Sequence, residues 1–264
     1  MTVTIQHLFT PEGEAALENI LRRRPLLAFD FDGTLAPIVA RPDDARIPRR
    51  ASARLGSLAA RLPVAIVTGR TVEDVSGRLG FRPRYIVGNH GAEDGMDAAA
   101  AEQRVRALDP LRGLLRERAA DLAQVGIQIE DKGQSLALHY RQARPRSRAL
   151  EQIAEVLAQP ELRVHSFGGK MVINVTPQSA PDKAHAVHAL MGRCDASCAL
   201  FAGDDVNDEP VFASAPPDWL TVRVGAESLD SAARFRIDSP FEMALLLERM
   251  LACVTQQGWA WLPY

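Results

Sequence analysis

The chain has 264 residues, 47% hydrophobic and 24% charged, which is the composition of one large folded domain or two modest ones and not of a disordered or fibrous chain. Its 31 basic and 33 acidic residues leave a net charge of −2, so there is no electrostatic case for nucleic acid or an anionic membrane as partner. No apolar run approaches the ~18 residues of a membrane helix, residues 1–11 lack the charged start and apolar middle of a secretory leader, and three cysteines in so long a chain argue for free thiols in the cytoplasm.

In chain order, residues 12–24 have the spacing of a leading helix. Residues 26–29 form an unbroken apolar run, the pattern of a strand covered on both faces of a parallel sheet, and they lead directly into Asp30-Phe31-Asp32-Gly33-Thr34-Leu35. A Pro- and Asp-rich connection follows, then a helix over 49–62 and a strand over 64–67 that ends in Thr68-Gly69-Arg70. A helix over 72–79 leads to a strand over 85–87 and the turn Gly88-Asn89-His90-Gly91-Ala92-Glu93. Strands and helices alternating in this way give the doubly wound α/β pattern.

The composition then shifts. Residues 97–123 are rich in Ala, Arg, Glu and Leu and read as one or two helices interrupted near Pro110. Alternating strands over 127–130 and 135–141 flank a Lys132-Gly133 turn, a helix covers 145–158, and strands over 162–167 and 171–176 flank Gly168-Gly169. Helix, hairpin, helix, hairpin is an α+β unit, so residues 97–178 are expected to form a smaller domain inserted into a core made of 1–96 and 179–264. The parallel pattern resumes with a helix from Asp182-Lys183 to about residue 192 and a buried strand over 199–202 ending in Gly203-Asp204-Asp205-Val206-Asn207-Asp208-Glu209. Strands over 221–224 and 235–237, a helix over 241–254 and an aromatic tail from 258, expected to dock on the core, complete the chain.

Residues two apart on a strand point the same way, so Asp30 and Asp32 leave the first buried strand together. Ligands of open α/β sheets bind at such strand ends, and two acids held together there call for a cation or a shared proton. Thr68, Lys183 and the pair Asp204/Asp208 are expected at other strand or helix ends of the same sheet. In the inserted unit, alternation puts Leu136, Leu138, Tyr140, Met171, Ile173 and Val175 on one face and Glu130, His139, Arg141 and Asn174 on the other, with Lys132 at the turn.

Asp30-Phe31-Asp32-Gly33-Thr34, Thr68, Lys183 and Asp204 to Asp208, in that order, resemble the four motifs of the haloacid dehalogenase superfamily of phosphatases. The resemblance implies a Rossmann-like core with an inserted cap and phosphoryl transfer through an aspartyl-phosphate. Asp30 would be the nucleophile, Asp32 the acid and base, and Thr68 and Lys183 the ligands of the phosphate oxygens. Magnesium suits the carboxylate and carbonyl oxygens of Asp30, Asp32, Asp204 and Asp208, since no histidine cluster accompanies them.

Residues 129–141 further resemble the cap hairpin of trehalose-6-phosphate phosphatases, whose pattern also includes Pro37-Ile38-Val39, Gly88 to Glu93 and Gly203 to Glu209. That resemblance implies a trehalose 6-phosphate substrate bound by Gly69, Arg70, Asn89, His90, Glu130, Lys132, His139, Arg141 and Asn174. Sucrose-phosphate and glucosyl- or mannosyl-phosphoglycerate are the alternative substrates, and a monomer or weak dimer is expected. Two departures stand out: Asn174 occupies the place of a usual glutamate, and Ala184 follows the motif lysine where glycine is usual.

Overall fold

The computed structural model describes residues 5–96, 98–225 and 230–256. In chain order these form β1 (Gln6–His7), α1 (Pro11–Arg22), β2 (Leu26–Phe29), α2 (Arg49–Ala59), β3 (Val64–Val67), α3 (Val72–Ser76) and β4 (Tyr85–Val87). Next come α4 (Ala98–Ala107), α5 (Asp109–Glu117), α6 (Ala119–Gln124), β5 (Gln128–Asp131), β6 (Leu136–His139), α7 (Arg146–Leu157), β7 (Val164–Gly169) and β8 (Val172–Pro177). The last group is α8 (Lys183–Cys194), β9 (Ala199–Gly203), α9 (Glu209–Ser214), β10 (Leu220–Val224), β11 (Phe235–Ile237) and α10 (Pro240–Gln256). Contacts divide the chain into two units, Met1–Gly91 with Asp182–Tyr264, and Ala92–Pro181.

The first unit is built on a seven-stranded parallel sheet in the order β1-β11-β10-β9-β2-β3-β4. Every residue of β2, β3 and β9 is buried, so both sheet faces are covered there, as their continuous apolar runs require. Helices α1 and α2 both pack on α10, and α8 packs on β2, β3 and α9. From β2 the chain steps outward to β3 and β4, whereas β9, β10 and β11 step outward on the other side. The direction of winding therefore reverses between β2 and β9, and the crevice at their carboxyl ends is the expected ligand position in such a sheet.

The second unit is a four-stranded antiparallel sheet, β5-β6-β8-β7, with a core of its own in which Leu111, Leu115, Leu136, Leu138, Ile153, Val156 and Val175 are buried. A doubly wound parallel sheet with an inserted α+β unit is thus the fold class read from the sequence.

Several local expectations need correction. The helical stretch after residue 97 is three helices, broken at Leu108 and Arg118. Pro110 does not interrupt a helix but sits in the first turn of α5, where its missing N–H has no partner to lose. The second hairpin turns at Lys170-Met171, with Met171 at φ 65°, and Gly168-Gly169 lies inside β7. Met171 therefore leaves the apolar face, and β8 alternates from Val172. Strand β6 ends at His139, so Arg141 lies in the exposed turn beyond it and the alternation no longer constrains its direction. The two-residue β1, too short to leave a pattern, pairs with β11 at the sheet edge. Asp97 and the tail from Gly258 to Tyr264 lie outside the described residues.

Candidate active site

Strand β2 pairs with β9 on one side and β3 on the other, with Phe29 opposite Ala202 and Ile66. This register carries the chain out of the sheet at Asp30, Thr68 and Asp204 on neighbouring strands. The Asp30 N–H still donates to Ala202 O at 2.9 Å, and Asp30 is 5% exposed. After Asp32 the chain closes a tight loop in which the Gly33 N–H donates to Ala36 O at 2.8 Å.

Gly33 has φ +85°, and a β-carbon there would lie 2.1 Å from Asp204 Oδ2. The Asp204 carboxylate thus rests on bare backbone, and the Thr34 hydroxyl donates to its Oδ1 at 3.3 Å. Gly33→Ala is expected to cost about 1–2 kcal/mol from the left-handed backbone alone and to push Asp204 out of place. A thermal melt should fall by several degrees. An unchanged melt of Gly33→Ala would show that this close approach does not matter.

Lys183 is the first residue of α8, where a cation opposes the helix dipole, so helix preference does not explain its position. It is 1% exposed, and its ammonium donates to Asp30 Oδ1 and Asp208 Oδ1, each at 2.7 Å. Asp182 caps the helix by accepting from the His185 N–H at 2.8 Å. Asp208 is fully buried, and its Oδ2 accepts from the backbone N–H groups of Asp204 and Asp205 at 2.9 and 3.0 Å. It organises the acidic loop and anchors the lysine at once.

Carboxylate oxygens of Asp30, Asp204 and Asp208 lie within 4.8 Å of one another. Burial raises the Asp30 carboxyl well above its ordinary value; Lys183 opposes this, and repulsion from Asp208 and Asp204 adds to it. Burial alone would lower Lys183, but Asp208 and Asp30 outweigh it and hold the ammonium charged. Three buried acids against one ammonium remain short of positive charge, and all their donors are hard oxygens. That donor set fits a hard divalent cation.

Thr68 is 1% exposed; its hydroxyl oxygen accepts from the Arg70 N–H at 3.2 Å, which leaves its proton to donate elsewhere. The Thr68–Arg70 loop is braced by the next turn, where the Asn89 and His90 N–H groups donate to Arg70 O and Thr68 O. Asn89 and His90 are buried in left-handed backbone, and the His90 ring lies so close to Gly69 that a β-carbon there would meet it at 2.2 Å. Arg70 turns its guanidinium onto Asp32, at 2.7 and 2.8 Å, and onto Asp74 at 2.7 Å.

In the second unit, Glu130 Oε2 lies 2.8 Å from His139 Nε2 and 3.8 Å from Lys132 Nζ. Asn174 pairs with Ala137, which pairs with Glu130 across β6, so all three share one sheet face with His139. Arg141 lies beyond β6, outside the strands that carry Glu130, His139 and Asn174.

Three partners were missed in the sequence: Arg223, Asp74 and Arg78. Arg223 on β10 bonds Glu209 at 2.6 Å and Asp204 O at 3.0 Å, bracing the acidic loop from behind. Arg70, Asp74 and Arg78, before, on and after α3, form a linked i, i+4 series, a spacing visible in the sequence but ordinary on any helix face.

Residues 28–236 match the family model for trehalose-phosphatase. The chain belongs to the trehalose-phosphatase family. It is 35% identical to the trehalose-phosphate phosphatase of Mycolicibacterium paratuberculosis, over 91% of this chain and 66% of that one. It is also 35% identical to that of Mycobacterium marinum, over 89% and 63%. The chain therefore spans just under two thirds of the length of these curated relatives. The C-terminal domain of the C. albicans trehalose-6-phosphate phosphatase, at 22% identity, shares the fold with a TM-score of 0.77 over 94% of this chain and 98% of that one. Asp30, Asp32, Thr68, Lys183, Asp204 and Asp208 all fall in the first unit.

Proposed function

We propose that the protein hydrolyses trehalose 6-phosphate to trehalose and inorganic phosphate through an aspartyl-phosphate. The observation that carries this reading is the buried Lys183 ammonium joining Asp30 to Asp208 at the point where the sheet reverses its winding. Asp30 attacks phosphorus, the bond to the sugar oxygen breaks, and Asp32 gives that oxygen a proton. Lys183 and the Thr68 hydroxyl hold the phosphate's outer oxygens as charge spreads over them. Asp32 then takes a proton from water, whose oxygen attacks the phosphoenzyme and releases the Asp30 carboxylate. Asp32 is reachable for both transfers, with 38% of its side chain exposed against 7% for Asp30.

Magnesium would be held by Asp30, Asp204 and the Asp32 carbonyl, with Asp208 supporting, and it neutralises phosphoryl charge when bound. Glu130, Lys132, His139, Arg141 and Asn174 supply hydrogen bonds to the sugar. Among the described residues no helix is long and apolar enough to cross a membrane. Cys194, Cys198 and Cys253 are free thiols, which supports a cytoplasmic location, and a monomer or weak dimer is proposed.

Asn174 favours one further reading, because an amide binds a hydroxyl less strongly than the family's usual glutamate. Another glycosyl phosphate is that second reading. A panel of trehalose 6-phosphate, sucrose 6-phosphate and glucosyl- and mannosyl-phosphoglycerate decides between them. Phosphate release should favour trehalose 6-phosphate by about tenfold or more in kcat/KM and disappear with EDTA. Preference for another ester would move the substrate assignment, and release in EDTA would remove the metal.

A further inference from the structure

Arg70 is bound on every side. Its side chain is 11% exposed and lies over the Phe31 ring, 5.3 Å from the centroid. One terminal nitrogen donates to Asp74 Oδ2 at 2.7 Å; the other donates to Asp32 Oδ1 at 2.8 Å and to Pro42 O at 2.9 Å, while Nε reaches Asp32 Oδ2 at 2.7 Å. Burial works against the charge, but the bonds to Asp32 and Asp74 hold the guanidinium above its ordinary range.

Asp74 is fixed in turn. It lies on α3, capped by Thr71 through the Asp74 N–H at 3.1 Å, and a second arginine, Arg78, binds its other oxygen. Arg78 also donates to Asp43 O at 2.7 Å, tying down the loop that follows β2. The fork offered to Asp32 is therefore set by α3, by the Phe31 ring and by the 42–43 backbone together.

A guanidinium so engaged has little left for a ligand, and both oxygens of one carboxylate take two of its donors. Of the two acids after β2, the one it grips is the one that must meet the sugar oxygen and then a water. We propose that Arg70 is a positioning residue for proton transfer: its fork fixes the direction of the Asp32 carboxylate, and it does not itself bind the sugar phosphate. The proposal rests on the acid–base role given to Asp32 above.

The chemistry supplies a discriminating readout. An alkoxide leaving from trehalose 6-phosphate needs a proton, whereas p-nitrophenolate leaves without one. The burst of p-nitrophenolate from p-nitrophenyl phosphate reports attack by Asp30 alone, and an unfolded variant gives no burst. In Arg70→Gln, kcat on trehalose 6-phosphate should fall on the order of 10²-fold with KM within about threefold, while the burst rate stays within about threefold. Arg70→Lys should restore little, because an ammonium cannot form the planar fork. In an Asp32→Asn background, Arg70→Gln should cost nothing further, since the group it aims is gone.

A burst rate on p-nitrophenyl phosphate that falls as far as kcat on trehalose 6-phosphate, a KM increase at constant kcat, or multiplicative losses in the double variant would each overturn the positioning role. If Asp32→Asn itself keeps wild-type turnover of trehalose 6-phosphate, the acid–base assignment fails first and takes this proposal with it.

Discussion

Asp30→Asn should abolish phosphate release, by on the order of 10⁴-fold or more. The amide keeps the shape of the carboxylate but has no anionic oxygen to bond to phosphorus. No neighbour can stand in. Asp208 already accepts from Lys183 and from two backbone N–H groups, and Asp204 accepts from Thr34 across the Gly33 loop. The fold should survive, because Lys183 keeps Asp208 and one of three crowded negative charges is gone. The measurement is phosphate release from trehalose 6-phosphate alongside a thermal melt. Activity within tenfold of wild type, in a protein free of contaminating phosphatase, would end the aspartyl-phosphate mechanism.

Lys183→Met should damage stability and activity together. Removing one partner of a buried ion pair leaves its carboxylates without compensation, at a cost of about 3–5 kcal/mol. Here the ammonium serves Asp30 and Asp208 at once, so both are stranded. The sign of the pH dependence follows from proton uptake. A buried acid raised above its unfolded value binds more protons in the folded state than in the unfolded one, so stability is lost as pH rises through the folded value. The destabilisation of Lys183→Met, read as a fall in urea midpoint, should therefore be larger at pH 8 than at pH 5. A pH-independent difference would mean that the carboxylates find water or another cation once the lysine is removed.

Much of the core sheet was legible because its strands are covered on both faces. Residues 64–67, 85–87 and 235–237 are strands within the bounds expected for them, and β2 runs directly into its acids. The placement of Asp30, Thr68 and Asp204 at strand ends followed from that pattern, whereas the adjacency of those strands did not. The inserted unit was harder. Its strands are partly exposed, so glycines looked like a turn where the backbone continues as strand and Met171 makes the bend instead.

Side-chain partners outside the four motifs were not legible across long separations. Nothing in Thr68-Gly69-Arg70 says that the arginine will spend its fork on Asp32, a residue 38 positions away. Arg223 was likewise an unremarked strand residue until the register of β10 with β9 set it opposite Gly203, at the start of the acidic loop. Such pairings depend on strand order, which local pattern does not encode.

Gly91 has one more implication. A β-carbon there would lie 2.2 Å from the carbonyl oxygen of Asp182, so the place where the chain departs for residues 92–181 abuts the place where it comes back. Departure and return meet within the first unit beside α8, and the parallel sheet closes without a strand from the segment between them. Such wiring makes the intervening segment exchangeable: a few residues could bridge the joint, or a differently shaped lobe could be grafted onto it. The lysine next to the joint would keep its acids in either case.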